Sequence, residues 1–154
     1  MNQSIEELIR IKSWNDCFLL NINIIDKEHE RFFEIFDTLL SVKEDAFKHK
    51  NIILIVNELE EYAYQHFKTE ETLMKKAVYQ EIETHIVQHN QFLEQIRYFQ
   101  LLYNPSKDSL LDELIAFMRK WIVTHIYDED FKYVEKIQLY LIKDEITRQQ
   151  KSQN

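Results

Sequence analysis

Apolar residues recur along this chain every three to four positions, in four runs separated by polar breaks. The first run is Ile25, His29, Phe32, Phe33, Phe36, Leu39 and Leu40. The second is Ile52, Ile55, Val56, Leu59, Ala63, His66, Phe67, Glu70, Leu73, Met74 and Ala77. The third is Ile82, His85, Ile86, His89, Phe92, Leu93, Ile96 and Phe99, and the fourth is Leu111, Leu114, Ile115, Met118, Trp121, Ile122 and His125. This is the spacing of one face of an α-helix, wide enough in each case to pack against neighbouring helices.

The breaks set the boundaries. Asn104 and Pro105 stop the third helix, because proline cannot continue it, and Asp108 or Ser109 can cap the fourth. The breaks near 47–51 and 78–81 are polar. Connections this short make neighbouring helices antiparallel, so the predicted fold is all-α, an up-down-up-down four-helix bundle. One domain is expected over 1–154. Residues 1–24 form an N-terminal arm, with Ser4 and Glu7 able to open a short helix. Residues 25–130 form the bundle core, and 131–154 a C-terminal helical extension with a frayed tail.

Composition narrows the choice. Glycine is absent and proline occurs once, which disfavours hairpin-rich folds and phosphate-cradling loops. Asparagine can take a left-handed helix cap in place of glycine, and Asn23, Asn51 and Asn104 are placed for it. The formal net charge of −8, with no basic stripe, excludes a nucleic-acid partner. The longest strongly apolar run, residues 52–56, is too short to span a bilayer. With a single cysteine, Cys17, and no apolar leader in the first residues, the expected location is the cytoplasm.

The apolar faces carry an unusual polar set. Five of the six histidines fall on them: His29, His66, His85, His89 and His125. The sixth, His49, lies in a charged segment and is expected at the surface. Glu70 follows His66 by four residues and His89 follows His85 by four, so each pair shares one side of its helix. Asp130 follows His125 by five, a rotation of about 140° in a regular helix. Those two converge only if the helix is distorted there, by a π-bulge or an unwound end. Buried imidazoles without partners are costly, and a shared cation removes the cost. Seven such groups exceed what one zinc takes and suit two metals bridged by carboxylates; nitrogen with carboxylate oxygen fits iron.

In order and spacing these residues resemble the hemerythrins, in particular the single-domain bacteriohemerythrins. The likeness rests on "IDKEH" around His29, "HFKTEETLM" from His66, "HIVQHNQF" from His85 and "WIVTHIYDED" around His125, with Trp14 in the arm, over roughly residues 14–133. It implies reversible O2 binding at a non-haem di-iron centre. His85, His89 and His125 would hold one iron, and His29 and His66 the other. Glu70 and Asp130 would bridge them together with an oxo or hydroxo group. O2 would bind at the two-histidine iron in a pocket lined by Ile122, Trp121, Phe32 and Phe33. Small azide-like anions would compete there, and no obligate protein partner is implied. The chain departs from the family in two turns: Asn21 stands where a glycine is common, and Gln80 where proline often follows the tyrosine. Storage, delivery or scavenging of O2 is the leading expectation. The alternatives are an oxygen or redox sensor acting through a partner, and a di-iron enzyme reducing O2, peroxide or nitric oxide.

Overall fold

The computed structural model describes Trp14 and residues 16–44, 51–105 and 109–152. A 3-10 turn, Asp16–Phe18, leads into α1 (Asn23–Glu44), α2 (Ile52–Lys76), α3 (Ile82–Leu102) and α4 (Ser109–Thr124). A π-helical segment, His125–Asp130, then joins α4 to α5 (Phe131–Ser152). The first three helices and the α4–π–α5 unit form the antiparallel four-helix bundle, with α1 against α2, α2 against α3, α3 against α4, and α5 against α2. No strand occurs among the described residues.

The predicted stripes are the buried faces. In α2, Ile52, Ile55, Val56, Leu59, Ala63, His66, Phe67, Glu70 and Met74 are all buried. Phe36, Leu39, Phe92, Ile96 and Met118 pack with them in one continuous core. The core runs past Asp130, because Tyr133 and Ile137 of α5 are fully buried in it. The tail expected to fray is helical through Ser152. Ser4, Glu7, His49 and Asp108 lie outside the described residues.

The left-handed positions match expectation only in part: Asn21 stands in for the glycine common in that turn, whereas Asn23, Asn51 and Asn104 do not take that conformation. Asn51 has φ −100° and Asn23 opens α1 with ordinary helical geometry; among the described residues those with positive φ are Asn21 (57°) and Val78 (55°). Asn21 tolerates this conformation at little cost, whereas a β-branched valine does not. Val78 is held there by a Schellman closure of α2. Tyr79 N–H donates to the Met74 carbonyl (2.9 Å) and Val78 N–H to the Lys75 carbonyl (3.2 Å).

Local chemistry pins the arm over the first helix. The Asp26 carboxylate accepts the backbone N–H groups of Leu20 (2.7 Å) and Ile22 (3.0 Å). Gln138 of α5 donates to the Leu20 carbonyl (3.2 Å). Trp14 then lies against Phe18 and Phe33, its ring 6.1 Å from that of His29.

Candidate metal centre

All seven polar residues predicted to share a site meet inside the bundle, none more than 4% exposed. His29 comes from α1, His66 and Glu70 from α2, His85 and His89 from α3, and His125 and Asp130 from the two ends of the π segment. The π turn performs the distortion that the five-residue offset requires, and it leaves His125 Nε2 3.3 Å from Asp130 Oδ1.

The seven side chains divide into two histidine groups around two carboxylates. Glu70 Oε1 faces His29 Nε2 (3.8 Å) and His66 Nε2 (3.6 Å). Glu70 Oε2 faces His85 Nε2 (3.8 Å) and His89 Nε2 (3.0 Å). Asp130 repeats the division: Oδ2 lies 3.3 Å from His29 Nε2, and Oδ1 lies 3.3 Å from the Nε2 atoms of both His85 and His125. Each carboxylate thus offers one oxygen to the pair His29/His66 and the other to the trio His85/His89/His125. Ligands about 2.1 Å from one ion at right angles lie roughly 3 Å apart, near the spacing seen here. Both groups, with Glu70 common to them, are compact enough to hold a metal ion, their donor atoms lying within 4.8 Å of one another.

Most of the donor atoms lack other partners. Nε2 of His29, His85, His89 and His125, Oε2 of Glu70 and both oxygens of Asp130 are buried with no hydrogen bond. Buried polar groups are normally satisfied, so a concentration of exceptions at one point marks a place for a cation. The opposite ring nitrogens are largely engaged. His66 Nδ1 is 3.0 Å from Glu28, His89 Nδ1 2.9 Å from Glu71, and His125 Nδ1 2.9 Å from Gln88. A partner on Nδ1 leaves Nε2 as the free lone pair and fixes the plane of the ring. Stacking adds to this: Phe67 lies on His89 (3.9 Å, 7°) and Trp121 on His125 (4.1 Å, 13°).

Electrostatics follow from this crowding. Burial works against ionised Glu70, but the imidazoles around it, His66 first, outweigh burial and hold the carboxyl well below its ordinary range. Burial would also lower His85, yet the Asp130 and Glu70 carboxylates beside it raise it to about 9. For His125 burial wins, and the ring stays neutral, its pKa lowered to about 3.

An apolar cavity of about 10 Å³ adjoins the centre, room for about one water-sized molecule. Its walls are Phe32, Phe33, Phe67, Trp121, Ile122 and Ile126. Both members of the histidine pair reach it, but only His125 of the trio does.

Several participants are not on the predicted list. Glu28, Glu71 and Gln88 each sit next to a site histidine or Glu70 in sequence, one step off the apolar stripe. Tyr133 donates a short hydrogen bond to Glu70 Oε1 from a fully buried position. It follows Asp130 by three residues, a spacing that places both on one helix face. Tyr127, three residues before Asp130 in sequence, is half-buried and packs on Phe131.

A family model described as "Hemerythrin HHE cation binding domain" matches residues 20–137. The chain is 32% identical over 126 residues to a bacteriohemerythrin of Clostridium acetobutylicum, spanning 79% of this chain and 98% of the relative. It is 31% identical over 125 residues to hemerythrin subunit alpha of Lingula anatina, spanning 81% and 94%. The fold resembles that in a crystal structure of a hemerythrin mutant, with a TM-score of 0.73 at 23% identity, covering 81% of this chain and 95% of that one.

Proposed function

The chain belongs to the hemerythrin family, and we propose that it binds O2 reversibly at a non-haem di-iron centre, for storage, delivery or scavenging. The observation that carries this reading is the division of the Glu70 and Asp130 oxygens between two histidine groups. On this reading His85, His89 and His125 would hold one iron and His29 and His66 the other, with Glu70 and Asp130 shared between them. Five imidazoles with two carboxylates suit iron and suit magnesium or calcium poorly. A small ligand would approach on the two-histidine side, where both His29 and His66 border the cavity. When bound, the iron pair supplies the redox-active metal and an open coordination position for a diatomic ligand.

The remaining work falls to the chain. Phe32, Phe33, Phe67 and Ile122 exclude water and protons from the cavity, which slows irreversible oxidation. Glu28, Glu71 and Gln88 keep three imidazoles in the ligating tautomer, and Tyr133 orients Glu70. The cavity admits one small molecule, so O2 and azide-like anions compete for it. No helix among the described residues is long and apolar enough to cross a membrane. The single cysteine fits a cytoplasmic, reducing location.

An oxygen electrode tests the proposal. Reduced, iron-loaded protein should take up O2 and return it under argon. Continued consumption with an added reductant would instead support the enzyme alternative.

A further inference from the structure

The walls of the inner cavity are not equally shielded from solvent. Every residue bordering the inner cavity is 4% exposed or less except Trp121, which is half-buried. On the other side of Trp121 lies an open surface groove of about 390 Å³, floored by Gln88, Gln91, Thr124, Asp128 and Glu129. The residues common to cavity and groove are Trp121 and His125. His125 is held by Gln88 and committed to the centre. The indole is held by apolar contact with Phe92 (4.4 Å), Phe67 (5.6 Å) and the His125 ring.

We propose that Trp121 is the gate between solvent and the metal-centre cavity: small ligands, O2 or a linear anion such as azide, enter from the groove when the indole swings off His125. The inference rests on the metal-centre reading above and adds a route to it. A gate sets rates in both directions, because entering and leaving ligands cross the same barrier, and it moves the equilibrium far less.

The test is stopped-flow azide binding to the diiron(III) protein, comparing wild type with Trp121→Phe, Trp121→Leu and Trp121→Ala. Iron content is measured for each. The smaller side chains should raise the association and dissociation rates together, roughly tenfold for alanine and less for phenylalanine, with a much smaller change in Kd. If iron and azide bind but neither rate rises, or only dissociation does, the gate is overturned while the metal-centre reading stands. If the iron-loaded wild type binds no azide, the reading falls and the gate with it. A metal-free readout uses Trp14→Phe, which leaves Trp121 as the sole tryptophan. Its fluorescence should be partly quenched by iodide reaching it from the groove; complete protection contradicts the gate.

Discussion

His125 Nε2 and Asp130 Oδ1 stand 3.3 Å apart across a π-helical turn, although a regular helix would turn them about 140° away from each other. The extra backbone residue gives one helix two ligand positions at the same depth. Asp130 and Glu70 each serve both histidine groups, whereas His66 serves one. Removing a bridge should therefore cost more metal than removing His66. We expect Glu70→Ala and Asp130→Ala to lose most of both ions, and His66→Ala to keep about one per chain. Metal analysis after gel filtration reads this directly, and full occupancy in Asp130→Ala would contradict the bridging role.

Tyr133 is the buried hydrogen-bond donor to Glu70. Tyr133→Phe leaves a buried carboxylate oxygen short of a partner, which costs about 2 kcal/mol. For a domain of this size that lowers Tm by several degrees. Burial first, then the Asp130 and Glu70 charges, raise the Tyr133 pKa well above its ordinary value. The folded chain therefore keeps a proton that the unfolded phenol loses near pH ~10. The stability Tyr133 contributes is fully present below that pH and declines above it. Metal-free wild type should lose stability more steeply than Tyr133→Phe between pH ~10 and ~11, as measured by denaturant titration.

Metal loading should release protons. The metal-free His85 titrates at about 9, so it carries a proton at neutral pH that a metal must displace. Proton release per ion should be larger at pH ~7 than at pH ~10, where His85 is already neutral. Calorimetry in buffers of different ionisation enthalpy measures it; equal release at both pH values would contradict the raised His85.

Val78 holds φ 55° at an exposed helix end. A left-handed conformation costs a β-branched residue about 1–2 kcal/mol and costs glycine nothing comparable. Val78→Gly should raise stability by about 1 kcal/mol, since glycine's looser unfolded chain returns part of the gain. An unchanged or lower unfolding midpoint would contradict this.

The sequence made the helices, the seven converging side chains and the distortion before Asp130 legible, because each is a matter of spacing along one helix. Long-range partners were less so. Glu28 reaches His66 across 38 positions and Gln88 reaches His125 across 37, and no periodicity encodes which surface side chain leans inward. Tyr133 is readable from its three-residue offset to Asp130, whereas nearness along the chain, as at Tyr127, does not bring a phenol to the site. The left-handed turn at Val78 follows from the hydrogen bonds that close α2, where the residue type points the other way.

The most direct test of the central claim is the visible spectrum of the reduced, iron-loaded protein as O2 is admitted and then removed without air. Reversible binding predicts a charge-transfer band that rises with O2 and vanishes on its removal, over repeated cycles. Direct passage to the stable diiron(III) spectrum, with no band that can be reversed, would contradict an oxygen carrier and move the function toward redox sensing or reduction.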